Sequence, residues 1–488
     1  MNKVKEYFKF EEHRTTMSTE IGAGVTTFLA MSYILFVNPS ILEQAGMPNQ
    51  AVFLATIFSA AISTLFTGLF ANVPYALGPG MGLNAFFTYT VVIGLGFTWQ
   101  EALSMVFICG IINVLITVTN IRRMLIVAIP NFLQNAISAG IGVFIGYLGI
   151  KNLGLLQFTS DAGNILSVNG GDPSAESFEG GVTNVVTTGG ILPELVDFTD
   201  PGVLIGLAGL FITILLMIKN VQGAILVGIV LTTLLSILFG LIDLSTIDFS
   251  RNSIGTSFSE FGVTFGAIFT SEGLPSLFGD LTRLPVVIMT IFSFSLADIF
   301  DTIGTFIGTG RQAGIFTDDD MGALEEGKGF NSKMDKALFG DSIGTMVGAV
   351  FGTSNVTTFV ESAAGIGAGG RTGMTSVSTA VCFILAIFLA PVIGVVPPQA
   401  TAPALIIVGV LMMSSLNNID WHYFPQAVPA FFASIFMGLA YSISNGIAAG
   451  FISYGIISLA TGKAKKVHPI LWISMGLFIL NYIVTAVL

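Results

Sequence analysis

The chain has 488 residues, of which 53% are hydrophobic and only 10% charged, against about 25% charged residues in a usual soluble domain. Its formal net charge of −11 lies mostly in loops and argues against nucleic-acid binding. Apolar runs recur near the ~20 residues that cross a bilayer as a helix, so the chain reads as an all-α polytopic membrane protein.

The N-terminus, "MNKVKEYFKFEEHRTTMSTE", has no apolar stretch or cleavage site before the first span, so no signal peptide is expected. Spans are expected near 18–37, 51–71, 80–95, 100–120, 125–148, 201–218 and 221–244. A second set follows near 285–307, 337–352, 359–370, 374–396, 402–416, 424–441 and 443–461, about fourteen in total. The last apolar segment, 468–488, is an extra span, an interfacial helix, or a sign that two shorter segments are one. Basic residues support this topology. Lys3, Lys5, Lys9, Arg14, Arg122, Arg123, Lys219, Arg311 through Lys336, Arg371, Lys463, Lys465 and Lys466 all fall on one side if the N-terminus is cytoplasmic. The segment 149–200, rich in Gly, Ser, Asp and Glu, then falls outside. Cys109 and Cys382 lie in spans and read as buried free thiols. No His or Cys pair has ligand spacing, so neither metal nor cofactor is expected.

Two sets of seven suggest a duplication, and an odd repeat is inserted upside down, as in many secondary transporters. The third span opens with "VPYALGPGMGLNAFF" (73–87) and the tenth with "FGTSNVTTFVESAAGIGAGG" (351–370). Pro79, between Gly78 and Gly80, opposes a continuous helix. Thr353, Val356, Thr357, Thr358, Phe359 and Val360 have strand-forming composition. Irregular chain at membrane depth persists only if it pairs with protein or lines a polar cavity. The helices that begin after these stretches would aim their positive ends at one place. The competing reading is two Gly-rich helices in small-xxx-small contact.

The stretch "VVIMTIFSFSLADIFDTIGTFIGTG" (286–310) carries Asp298 and Asp301, although each acid costs about 2.5–3.5 kcal/mol to insert. At i and i+3 they share a broad face with Thr302 and Thr305. Glu361 and Asn84 follow the two irregular stretches, while Asp341 and Glu20 lie nearer span ends. Acid–base pairs tying helices together would need buried cations, and no Lys or Arg falls mid-span; Arg311 and Arg371 lie near the cytoplasmic ends, from where Arg311 could still reach Asp341. A carboxyl buried without a cation can take up a proton on one side of a membrane and release it on the other. It can also hold a ligand rich in N–H donors. The Asn84 amide offers donor and acceptor, and Phe28, Tyr33, Phe86, Phe87 and Phe359 are candidates to stack on a flat ring. Two loop patterns carry no site: "TDDDMGALEEGKG" (317–329) lacks the alternating calcium ligands, and "GIGAGGRTG" (365–373) follows no βα unit.

"GPGMGLNAFF", "SLADIFDTIGTFIG" and "GTSNVTTFVESAAGIGAGGRTGMTSV", in this order, resemble the AzgA-like purine permease branch of the nucleobase–cation symporter (xanthine/uracil permease) superfamily. The opening "TEIGAGVTTFLAMSYILFVNPSIL" is similar to that branch too, and the resemblance runs from about residue 10 to 460. It implies fourteen spans as two inverted seven-span repeats, with short antiparallel strands in spans 3 and 10. A cytoplasmic N-terminus, 1–17, would precede a core domain of 18–120 and 285–396 and a gate domain of 121–244 and 397–488. It also implies proton-coupled uptake of purine nucleobases, hypoxanthine or guanine foremost and adenine as the alternative, across the plasma membrane.

By motif, Asp298 matches the eighth-span substrate or proton carboxylate and Glu361 the tenth-span carboxylate that bonds the base. Asn84 matches the supporting third-span polar residue and Asp301 a second eighth-span acid. Phe359 and Thr302 complete the implied substrate site, Thr302 standing where the uracil- and xanthine-type branch has histidine. Asp298, Asp301 and Glu361 are the proton-coupling candidates. The partners implied are a purine base, a proton and the lipid bilayer, with a homodimer compatible, and no enzymatic activity. Two rivals remain: an anion transporter of the same fold, whose cargo these carboxylates would repel, and an intramembrane aspartyl protease, whose paired acids would come from two helices.

Overall fold

A computed structural model describes residues 2–119, 128–159, 165–168, 185–187, 192–242, 253–310, 314–317, 320, 332–393 and 395–487. The first rod is α1 (Met17–Met31), capped where Thr19 N donates to Thr16 Oγ1 at 3.2 Å, followed after a break at Ser32 and Tyr33 by α2 (Ile34–Leu42). Next come α3 (Asn49–Ala71), β1 (Leu77–Pro79) and α4 (Met81–Ala85), which runs on into widened π-type turns over Phe86–Gly94. A reciprocal Thr98–Glu101 cap starts α5 (Trp99–Val118), and α6 (Asn131–Asn152) starts behind Pro130. Two antiparallel ribbons follow: β2 (Leu156–Thr159) pairs with β5 (Leu192–Leu195), and β3 (Ile165–Val168) with β4 (Val185–Thr187).

Beyond them lie α7 (Pro201–Ile218), α8 (Ala224–Leu238), α9 (Ile254–Thr264) and α10 (Leu284–Thr305). A Ser332–Asp335 cap starts α11 (Lys333–Phe351), and β6 (Val356–Thr358) and α12 (Ser362–Gly367) follow. The chain ends with α13 (Gly373–Leu385), α14 (Pro398–Met412), α15 (Phe424–Ala433), α16 (Ile435–Leu439), α17 (Ile443–Ala460) and α18 (Pro469–Val487).

Among the described residues, nine helical stretches are long and apolar enough to cross a membrane, and four shorter apolar helices accompany them. The expected spans coincide with helices to within a few residues at most boundaries; of the fifth, 125–148, residues 125–127 lie outside the described residues, and α6 starts behind Pro130. Within segment 468–488, Pro469–Val487 form one helix, α18, packed on α17. Cys109 and Cys382 are both free; Cys109 is buried as expected, whereas Cys382 is only half-buried.

The helices pack in two sets. In one, α3 lies against α11 and α13, α5 against α10 and α11, and α1 against α12 and α13. In the other, α6 lies against α14, α15 and α16, α7 against α8 and α14, and α15 against α17. The sets meet where α4 and α10 touch α6 and α2 touches α14. Glycine permits the tightest approaches: a Cβ on Gly409 would lie 2.6 Å from Gly142 O and 2.6 Å from Gly146 N, so α14 and α6 run backbone to backbone.

At the centre of the first set, β1 and β6 cross antiparallel, with Leu77 opposite Thr358, Gly78 opposite Thr357 and Pro79 opposite Val356. Gly80 N donates to Asn355 O at 2.9 Å and Phe359 N to Ala76 O at 3.0 Å. Side chains satisfy the remaining backbone groups: Leu77 N donates to Thr64 Oγ1 at 2.8 Å, and Ala76 N to Ser362 Oγ at 3.0 Å. Unpaired peptide groups here would cost several kcal/mol each, which explains the Thr and Ser so close to the strands.

Candidate functional site

The strand crossing, α10 and the first half of α6 enclose a cavity of about 810 Å³, within the usual range for small-molecule sites. One wall is Tyr33, Gly80, Asp301, Thr305, Thr357, Phe359 and Glu361. The other is a stripe on α6, Asn131, Gln134, Asn135 and Ser138, with Val408, Leu411, Ser415 and Asn418 beside it. The stripe follows the i, i+3, i+4, i+7 spacing of one helix face.

Glu361 stands at the head of α12, and its Oε1 accepts from Tyr33 Oη at 2.7 Å. Asp301 lies beside the Thr357 hydroxyl and within electrostatic reach of Glu361. Among the described residues, no Lys or Arg forms an ion pair with Asp298, Asp301, Asp341 or Glu361; the pairs present are Lys9–Glu12 at 3.0 Å and Arg283–Glu101 at 3.8 Å. Because α12 has only six residues, its macrodipole adds little field, and the two-helix convergence expected from sequence reduces to the longer helical stretch Met81–Gly94 that α4 opens.

Asp298, Asn84 and Thr302, expected against the ligand, lie behind the cavity wall and are fully buried. The reason is helical geometry: three residues turn the chain roughly 300°, so Asp298 and Asp301 diverge by about 60°. Asp301 meets the cavity, while Asp298 turns toward α5 and α11. Its Oδ2 accepts from Asn113 Nδ2 at 2.8 Å, Thr345 Oγ1 at 3.0 Å and Asn355 Nδ2 at 3.4 Å. Thr302 Oγ1 donates to Asp341 Oδ1 at 2.9 Å, as does Thr358 Oγ1 at 2.9 Å. Asp341 is thus tied to α10 and β6, and Arg311, its expected partner, lies outside the described residues. Asn84 Nδ2 donates to Asn38 Oδ1 at 2.6 Å and its Oδ1 accepts from Ser354, so it braces the strands.

Of the aromatic candidates, Tyr33 and Phe359 line the cavity. Phe28 packs edge-on to Phe383 at 5.1 Å, Phe86 edge-on to Phe294 at 4.7 Å, and Phe87 is buried in the apolar core. The polar stripe on α6 went unremarked in the sequence, although four polar side chains at helical spacing in an apolar segment signal it.

A cation–aromatic cluster lies at the far end of α6. Lys151 lies 20 residues, or about 30 Å, from Asn131. Its Nζ donates to Tyr441 Oη at 3.1 Å and sits 5.1 Å and 5.6 Å from the Tyr441 and Tyr89 ring centres. Tyr89 Oη in turn donates to Gln44 Oε1 at 3.0 Å. This cluster joins the two helix sets at the end of α6 opposite Asn131.

A bundle of apolar helices around a central crossing of broken segments, with acids unmatched by any described cation at the central cavity, defines a multi-pass membrane transporter rather than an enzyme. The chain matches the sequence profile described as Permease family (Xan_ur_permease) over residues 18–217 and 179–449. It is 39% identical to adenine permease AdeP of Escherichia coli, over 98% of this chain and 96% of that one. It is 38% identical to guanine/hypoxanthine permease PbuO of Bacillus subtilis, over 97% and 99%. It therefore belongs to this permease family, in the AzgA-like branch. Among solved structures, the transmembrane domain of the cyanobacterial bicarbonate transporter BicA superposes with a TM-score of 0.57 at 17% identity, over 88% of this chain and 97% of that one, and shares the fold.

Proposed function

We propose that the protein takes up purine nucleobases, hypoxanthine or guanine foremost, together with protons across the plasma membrane by alternating access. The observation that carries this reading is the pair Glu361 and Asp301, unmatched by any described cation, on a cavity that also presents Tyr33, Phe359 and the α6 amides. A purine offers N–H donors to two carboxyls, a flat face to an aromatic ring, and carbonyl or ring-nitrogen acceptors to amides. Glu361 and Asp301 hold the base; Asp298, off the cavity, carries the proton; Asn84 and Thr302 act through the groups they brace.

In this reading the fourteen expected spans form two inverted repeats, with 18–120 and 285–396 as the core and 121–244 and 397–488 as the gate. The two packing sets support that division. With the basic residues taken as cytoplasmic, Asn131 and the cavity face the cytoplasm and Lys151 the outside, which supports reading the conformation as inward-facing. Adenine is the alternative cargo, because AdeP is as similar to this chain as PbuO. An anion is disfavoured, since the cavity offers carboxylates and no described cation.

The test is competition of labelled hypoxanthine uptake by unlabelled guanine, adenine, xanthine and uracil. Competition by guanine but not uracil is expected; competition by uracil alone, or no hypoxanthine uptake by well-folded protein, refutes the reading.

A further inference from the structure

Among the described residues, the buried side-chain oxygens without a hydrogen-bond partner include Asp298 Oδ1 and Asn355 Oδ1, behind the cavity. They belong to side chains already in contact, since Asn355 Nδ2 donates to Asp298 Oδ2 at 3.4 Å. Both residues are fully buried. With Asp298 ionised both orphans are acceptors, and a buried acceptor left unpaired is costly. One proton resolves both at once, because a protonated carboxyl is a donor on one oxygen and an acceptor on the other.

We propose that Asp298 and Asn355 form the resting place of the transported proton. With the proton on Oδ1, the acid donates to the Asn355 amide oxygen while the amide N–H donates back to Oδ2, closing a two-bond acid–amide ring. The assignment rests on the proton-coupled reading above and adds to it a positioning residue, Asn355, that no carboxyl-based reading of the sequence points to.

The pair sits where a proton could be felt by the ligand site. Asn355 O holds Gly80 N at 2.9 Å, and Thr345 Oγ1 bridges Asp298 Oδ2 at 3.0 Å and Val356 O at 3.1 Å. Loss of the proton would set a carboxylate oxygen against an amide oxygen beneath the strand that leads to Glu361. The strand crossing would then have to adjust, which links the proton's departure to the base site. The titratable groups facing Asp298 are Asp301 on its own helix, Asp341 on α11 and Cys109 on α5. Of these, Asp301 lines the cavity, so the proton leaves to cavity water past it.

Infrared difference spectroscopy on purified full-length protein in lipid nanodiscs, without substrate, tests the pair through the C=O stretch of protonated carboxyls. The expected result is a hydrogen-bonded carboxyl band that disappears in Asp298→Asn and moves to higher wavenumber in Asn355→Leu, where the acceptor is gone. Asn355→Ala serves if leucine unfolds the protein, with the same displacement expected. A band that survives Asp298→Asn, or ignores both Asn355 variants, overturns the proposal. The spectrum needs no cargo, so absent purine uptake by the same protein reconstituted into proteoliposomes would count against the proposed function and not against the pair.

Discussion

Neutralising Glu361 while keeping its shape, in Glu361→Gln, removes a charged acceptor from the cavity wall. A hydrogen bond to a charged group contributes about 1.5–3 kcal/mol and a neutral one about 0.5–1.5, so the loss is about 1–1.5 kcal/mol. The larger effect follows from the 2.7 Å bond that Tyr33 donates to Oε1. Glutamine carries one oxygen and one NH2, so either Tyr33 or the base N–H faces a donor instead of an acceptor, which costs about 1–3 kcal/mol more. The sum, about 2–4.5 kcal/mol, predicts that Kd rises roughly 30- to 2,000-fold. Equilibrium binding of labelled hypoxanthine to purified protein reads this directly, and Tyr33→Phe, which leaves the carboxylate in place, should weaken binding less. A Glu361→Gln protein that elutes as wild type and binds hypoxanthine within twofold of wild type would refute the assignment.

Gly82 of α4 meets Ile141 of α6 at the boundary between the helix sets, with no room for a Cβ. Gly82→Ala should therefore lower Tm and uptake through an overpacking cost of about 1–3 kcal/mol, and Ile141→Ala in the same chain should restore both, measured by thermal melting and transport. Lys151→Met removes the 3.1 Å bond to Tyr441 and the contact with two rings. At about 0.5–2 kcal/mol for such contacts, the variant should favour the outward-open form, read as slower thiol labelling of a cysteine placed at Ser415; unchanged labelling would remove the cluster from the closing machinery. His13, on the N-terminal segment, is held below its usual value first by burial and then by the Lys333 charge. The unfolded chain then binds the extra proton, so stability should fall as pH drops through the ordinary histidine range, and His13→Gln should flatten that limb of a Tm-against-pH curve.

The broken third and tenth spans were legible because Pro79 and the Thr- and Val-rich run at 353–360 act through local backbone chemistry, and β1 and β6 lie there. Span positions were legible for a similar reason, since bilayer thickness fixes helix length. The site was legible only in part. Composition shows that Asp298 and Asp301 are both intramembrane acids, but which one faces the cavity depends on how α10 is rotated, a property of its packing against α5, α11 and β6. Asn84 fell behind the wall for a comparable reason: its amide is consumed by Asn38 and Ser354, residues 46 and 270 positions away. The Lys151 cluster draws on Tyr89, Tyr147 and Tyr441, whose convergence no local pattern encodes.

The most direct measurement is accumulation of labelled hypoxanthine in proteoliposomes of the purified protein under an inward proton gradient, without sodium. The account predicts accumulation above the external concentration that a protonophore collapses and that Asp298→Asn lacks. Accumulation that ignores the protonophore and follows a sodium gradient instead, or that persists in Asp298→Asn, would contradict it.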